Sequence, residues 1–270
     1  GLSSPRVYSI VEAEDGAMWI STKRGVDRYN GQLVSNYTLA TEMPYSDASG
    51  RNIKLTQDHH QQIYAYDNKG KVYIYNKVKD TFVLRCNLLN ILGGSIVLNE
   101  LLVDEKGNFW LAMDKGLYCL SASADGKEIV RKKAKGRFKL KDTYINHIQF
   151  VGQRLLIGTS KDVYCYSVAT QKIAKKISGS SVVSSYHDVE GHHIWLGTFH
   201  EGVKVVDDST WKPINSIAFH SLQNIPQNPV RSIISFNHQT LLMAVDGAGI
   251  YAYDKQNKQT KLLLNTDGRP

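Results

Sequence analysis

The chain has 270 residues, of which 42% are hydrophobic and 21% charged, and it carries a net charge of +8 at pH 7. That length is enough for one large β domain or two smaller ones with a sizeable core. No run of roughly 18 apolar residues occurs, so no segment is expected to cross a membrane as a helix. Three cysteines, Cys86, Cys119 and Cys165, are odd in number and widely spaced. They form neither a disulfide framework nor a zinc ligand set and read as small apolar strand residues. The basic balance favours acidic partners: nucleic acid, an anionic glycan or an anionic surface. Gly1-Leu2-Ser3-Ser4-Pro5 reads as the start of a mature fragment, and the lack of a signal peptide there says nothing about compartment.

The first predicted elements are an inner strand at Val7 and Ile10, then an alternating run around Trp19 after the Asp15-Gly16 turn. A second turn, Lys23-Arg24-Gly25, leads into a third run ending at Tyr29, and "LVSNYTL" (33–39) closes the unit. The frame recurs as "HHQQIYAYDNKGKVYIY" (59–75), "DEKGNFWLAMDKGLYCL" (104–120), "VGQRLLIGTSKDVYCY" (151–166), "EGHHIWLGTFHEGVKVV" (190–206) and "HQTLLMAVDGAGIYAY" (238–253). The anchors of the second runs are Trp19, Tyr64, Trp110, Leu156, Trp195 and Met243, with steps of 45, 46, 46, 39 and 48 residues. Inner strands of the form V-x-x-I precede them: Val7 and Ile10, Leu98 and Leu101, Ile145 and Ile148, Val183 and Tyr186, Val230 and Ile233. Period-two alternation, aromatic and β-branched enrichment, and turns rich in Gly, Asn and Asp argue strands throughout, and no segment reads as a helix.

Four short antiparallel strands repeated at this period are the signature of an all-β β-propeller. Six blades are recognisable, at about 5–50, 51–94, 95–142, 143–178, 179–227 and 228–270, and they make a single propeller domain over 1–270. Neither terminus supplies an extra strand, so six blades either close directly or form part of a larger ring. Trp19, Trp110 and Trp195 are expected to be apolar wedges between blades.

The unit V-x-S-I-x-x-x-x-x-G-x-x-W-I-x-T-x-x-G-V-x-x-Y at 7–29 resembles the regulator-propeller repeat of two-component regulators. "NELLVDEKGNFWLAMDKGLYCL" (99–120) and "HHIWLGTFHEGVKVV" (192–206) match it well, and the copies at 53–75, 145–166 and 230–253 are degenerate. The resemblance implies part of the periplasmic sensor region of a hybrid two-component sensor histidine kinase of a glycan-degrading bacterium. It implies an oligosaccharide ligand, a homodimer in the full-length receptor, and attachment to the inner membrane only through parts outside this chain. No kinase motif is present in the chain itself.

Aligned on the Gly column, the residue before it is Arg24, Lys69, Lys115 and Lys161 in four consecutive copies, then Glu201 and Ala248. This places a column of cations on the propeller face that usually holds the ligand. Arg6, Arg51 and Arg231 at the starts of inner strands, with Tyr144, Asn146 and His147 nearby, extend the candidate site. Arg and Lys there suit the carboxylates or sulfates of an acidic sugar, although Lys before Gly at a hairpin is also ordinary solvated surface. His59-His60 and His192-His193 are poor joint metal ligands, because adjacent strand residues point to opposite faces. Asp67 and Asp246 share one column and offer an acid and a base, but no paired Glu or nucleophile elbow accompanies them. The basic run "RKKAKGRFKLK" (131–141) lacks aromatic interleaving and reads as a solvated outer edge, not a nucleic-acid contact. The expected protein is a non-enzymatic sensor propeller with no cofactor and no metal. The alternatives are a polysaccharide lyase or hydrolase propeller and a protein–protein scaffold.

Overall fold

A computed structural model describes residues 1–39, 52–123, 128–131, 144–215 and 217–265. They fall into two compact units, residues 1–142 and 143–270. Unit 1 holds three sheets. Blade 1 is β1 (Val7–Glu12), β2 (Met18–Thr22), β3 (Gly25–Tyr29) and β4 (Val34–Tyr37). Blade 2 is β5 (Ile53–Gln57), β6 (Ile63–Asp67), β7 (Lys71–Asn76) and β8 (Thr81–Asn87). Blade 3 is β9 (Leu98–Val103), β10 (Phe109–Met113), β11 (Gly116–Ala122) and β12 (Ile129–Arg131). Unit 2 continues with blade 4, β13 (Ile145–Val151), β14 (Arg154–Thr159), β15 (Asp162–Ser167) and β16 (Lys172–Ser178). Blade 5 is β17 (Val182–Asp188), β18 (His193–Thr198) and β19 (Val203–Asp207). Blade 6 is β20 (Val230–Ser235), β21 (Thr240–Val245), β22 (Gly249–Asp254) and β23 (Gln259–Leu264).

Each sheet is antiparallel with its strands in chain order, and each lies inside one of the six spans expected from the repeat. The fold is that of a β-propeller of six blades, almost entirely β. Within unit 1 the first strands are neighbours, β1 beside β5 and β5 beside β9; within unit 2, β13 lies beside β17 and β17 beside β20. The first strand of each blade is therefore the inner one, as the sequence indicates.

Two expectations need correction. A fourth strand was expected in every blade, but among the described residues blade 5 has three. Its edge is met only by the bridge Val206↔Pro213 and by Ile214 N–H donating to the Val205 carbonyl at 2.9 Å. Pro213 has no N–H to extend a ladder, and a 3₁₀ helix, Ile217–Asn224, follows instead. The chain also contains a short α-helix, α1 (Leu88–Leu92), whose first turn is capped by the Asn87 side chain accepting from Leu89 N–H at 3.1 Å. Five residues are too few for a 3.6-residue period to show in the sequence.

The core lies between successive blades of each unit. Trp19 packs with Ile53, Leu55, Tyr73 and Phe82 of blade 2, edge-on to Tyr75 and Phe82 at centroid distances of 4.5 and 5.6 Å. Trp195 does the same against blade 6, among Val230, Ile233, Leu241, Met243 and Tyr253. These two tryptophans are the inter-blade wedges their spacing suggests. Large aromatic side chains carry much of the burial because each blade is only one sheet thick.

The Gly column has a steric origin. A Cβ on Gly25 (φ +153°) would lie 2.4 Å from the Tyr37 carbonyl oxygen, and one on Gly249 (φ +105°) would lie 2.1 Å from that of Leu264. In both blades the outer strand closes over the turn, so only glycine fits. At the opposite end of the blades, the turns that follow the third strands of blades 1, 2, 4, 5 and 6 share one closure. Asn30, Asn76, Ser167, Asp207 and Asp254 each accept backbone N–H groups two or three residues on. In the last four, the residue four positions later (Asp80, Gln171, Trp211 and Lys258) is left-handed. Short polar side chains fold back in this way at tight turns.

Candidate functional site

The turn between second and third strands is tied, in five blades, to the residue just before the inner strand. Lys23 N–H donates to Arg6 O, Asp114 N–H to Val97 O, Ser160 N–H to Tyr144 O, Phe199 N–H to Ser181 O and Asp246 N–H to Pro229 O, at 2.8 to 3.3 Å. Turn and inner-strand start therefore share one end of every such blade. In blade 2 the turn reaches the next blade, because the Asn68 carbonyl accepts Leu98 N–H at 2.9 Å.

The turn backbone is fixed from within. Thr22 Oγ1 accepts Arg24 N–H at 3.2 Å, Asp67 Oδ1 accepts Lys69 N–H at 3.0 Å, and Thr159 Oγ1 accepts Lys161 N–H at 3.2 Å. Thr198 Oγ1 accepts Glu201 N–H at 2.8 Å in the same way. In blades 1, 2, 4 and 5 the residue three beyond the anchor is thus a turn cap. Asp67 is buried and also accepts Lys71 N–H at 3.0 Å, so its carboxylate closes a turn. Asp246 instead pairs with Arg231, through Nε at 3.1 Å and Nη2 at 2.8 Å on one carboxylate oxygen.

In unit 1, Arg24, Lys69 and Lys115 are all exposed on these turns, with exposed Arg6 at the start of β1. Lys115 Nζ donates to the Ser95 carbonyl at 3.2 Å, and Arg24 Nη1 approaches that of Ser3 at 3.5 Å. These contacts leave both cations on the outside of the turn. In unit 2, Lys161 is exposed in the β14–β15 turn, Tyr144 precedes β13, and Asn146 lies within β13. Burial pushes the neighbouring Asp162 carboxyl up. Lys176 Nζ at 3.0 Å, Gly179 N–H and the Tyr164 hydroxyl outweigh that and hold it below the usual carboxylate value. The Asp162 carboxylate is thus committed to Lys176 and not to Lys161. Arg51 and residues 132–141 of the basic run lie outside the described residues.

Three features of this end were not read from the sequence. The first is the capping column. The second is an aromatic plate in unit 2, where the Arg231 guanidinium stands 5.5 Å over the Phe199 ring while paired to Asp246. The third is a polar chain between inner strands, in which His147 Nε2 and Ser185 Oγ are 2.7 Å apart and Ser185 Oγ also donates to Gln149 Oε1. Among the described residues, no three His, Cys, Asp or Glu side chains converge as a metal site.

Fold and blade-end geometry define a β-propeller, and comparison with known proteins sharpens this. Residues 1–24 match the family described as two component regulator propeller. No curated protein sequence matches the chain. Among solved structures, the extracellular domain of a protein described as the hybrid two component system BT3049 from B. thetaiotaomicron superposes with TM-score 0.71 at 17% identity, covering 98% of this chain and 35% of that one. The extracellular domain described for the hybrid two component system BT4673 of the same organism gives 0.66 at 18%, covering 90% and 33%. A chain of the Mitotic Checkpoint Complex also gives 0.71, at 11% identity, covering 99% of this chain and 84% of that one. At such identities the likeness shows the fold alone. This chain spans about a third of the length of the two sensor ectodomains, 35% and 33%. It is a β-propeller whose residues 1–24 match the two component regulator propeller family.

Proposed function

We propose that the chain is a ligand-sensing propeller from the periplasmic part of a membrane-anchored two-component receptor. It binds an oligosaccharide at the blade ends that carry the cation turns, and it performs no chemistry on it. One observation carries the reading: exposed cations recur on backbone-fixed turns beside the inner-strand starts, in a chain whose first repeat matches the regulator propeller. Capped turns hold each Cα in place while the side chain stays available to an anionic group. The like charges of Arg24, Lys69 and Lys115 within unit 1 raise the local concentration of such a ligand. The receptor acts as a homodimer, and the ligand signals only by favouring one of its states over another. A lyase or hydrolase reading has less support, because Asp67 is committed to its turn and Asp246 to Arg231.

The test is a binding titration of the chain against neutral and acidic oligosaccharides at low and high salt. Binding of an acidic sugar that weakens with salt, and falls about tenfold or more in Arg24→Ala/Lys69→Ala, is the expected result. Silence across the panel would remove the sensing role from this chain. Turnover of any member would move it to the enzymes.

A further inference from the structure

Five of the six inner strands carry a β-bulge at the same place. In blade 1, Val7 pairs with Thr22 and Ser9 with Ser21, leaving Tyr8 extra. In blade 3, Leu98 pairs with Met113 and Glu100 with Ala112, leaving Asn99. Blade 4 leaves Asn146, between Ile145↔Thr159 and His147↔Gly158. Blade 5 leaves Val183 and blade 6 leaves Arg231 by the same shift. Blade 2 is regular, with Ile53↔Asp67 followed by Lys54↔Tyr66.

In blades 3, 4 and 6 the bulge explains the V-x-x-I spacing, whereas Val7 and Ile10 of blade 1 are exposed and Val183 of blade 5 is itself the inserted residue. In a regular strand, residues three apart face opposite sides. Yet Leu98 and Leu101, Ile145 and Ile148, and Val230 and Ile233 are all buried pairs. One inserted residue restores a common face. Blade 2 instead buries Ile53 and Leu55, two apart, and needs no insertion. The extra residue is thus released from core packing at the end of the blade that bears the turns. Bulges beside functional sites typically re-aim a side chain in this way.

We propose that the two polar residues among the three bulged positions of unit 2, Asn146 and Arg231, are specificity-determining contacts for a neutral, polyhydroxylated ligand. This rests on the saccharide-sensing reading above. Asn146 and the Arg231–Asp246 pair together carry no net charge. Asp246 neutralises Arg231 at 2.8 Å, and the guanidinium keeps donors beyond that bond. Among the described residues the Asn146 side chain makes no hydrogen bond, and its amide supplies both a donor and an acceptor. Phe199 adds an apolar ring beneath Arg231. Neutral donors and acceptors on Asn146 and the spare donors of Arg231, beside the half-buried Phe199 ring, match the hydroxyl groups of a sugar. The Asp246 carboxylate beside these donors would repel an anion that approached them.

The experiment follows the Asn146 side-chain amide and the Arg231 Nε–H by NMR while maltotetraose, cellotetraose, xylotetraose and mannotetraose are added singly at millimolar concentration, with tetragalacturonate as the acidic comparison. At least one neutral sugar is expected to shift both signals. Asn146→Ala and Arg231→Lys should each weaken it about tenfold. Arg231→Lys keeps the charge but loses the planar fork, so retention of affinity would show that charge alone mattered and would overturn the assignment. Urea midpoints of the Asn146 and Arg231 variants that match the parent's would show that a loss of binding does not come from a disturbed fold. Binding unaffected by the Asn146 and Arg231 variants would refute the bulge assignment and leave sugar sensing intact. Binding of tetragalacturonate alone would refute the neutral class. Silence with every sugar would end both proposals.

Discussion

Trp211 offers a direct test of how unit 2 is held together. It is 3% exposed, packs with Val151, Leu156, Val163 and Cys165 of blade 4, and has φ of 60°. A Trp side chain buries about 150–250 Å², worth about 4–6 kcal/mol at ~25 cal/mol per Å². Its Nε1 has no hydrogen-bond partner among the described residues, a loss of about 1–3 kcal/mol. Net burial is then about 3 kcal/mol, the expected cost of Trp211→Ala. The left-handed backbone costs any L-residue about 1–2 kcal/mol, and glycine avoids it at about 0.5–1 kcal/mol of extra chain entropy. Trp211→Gly should therefore be more stable than Trp211→Ala by about 0.5–1 kcal/mol, the reverse of the usual order. Urea unfolding followed by far-UV circular dichroism reads both values without depending on the lost fluorophore. Alanine equal to or better than glycine, or either variant costing under about 1 kcal/mol, would refute the reasoning.

Two further outcomes follow from buried charges. Lys255 Nζ is 2.9 Å from Asp188, whose side chain is 4% exposed, across blades 5 and 6. Lys255→Met should cost about 3 kcal/mol by stranding that carboxylate, and adding Asp188→Asn should recover part of it; urea midpoints of the single and double variants check this. Burial pushes the Asp104 carboxyl up, but donors from Trp110 Nε1, Asn108 and Lys106 outweigh it and hold it below the ordinary carboxylate value. A lowered folded value means stability present above about pH 4 and lost as pH falls through that lowered value. Asp104→Asn should therefore cost about 1 kcal/mol at pH 7, discounted for partial exposure. The gap to the parent protein should close in acid, and a gap constant with pH would sink the assignment.

The blade spans were legible because period-two alternation and the Trp-to-Gly frame are local signals repeated along the chain. The V-x-x-I pairs marked inner strands, but their meaning as bulges appears only when each strand is set against its partner. Asp67 resembled an acid by column and proved to be a turn cap, because burial and N–H donors belong to three dimensions. Arg231 and Asp246 lie 15 residues apart, with nothing local to announce their pairing. Among the described residues blade 5 has no outer strand, and Pro213 is the local sign of this, yet one proline is a weak sign against a period that otherwise holds.

A single inserted residue changes what selection can do with an inner strand. Positions 98, 101, 145, 148, 230 and 233 are fixed by the space between blades, whereas positions 8, 99, 146, 183 and 231 are excused from the ladder. Substitutions at the second set spend little of a marginal stability. They form a row of freely variable letters printed on a frame that does not need to be rebuilt each time the message changes.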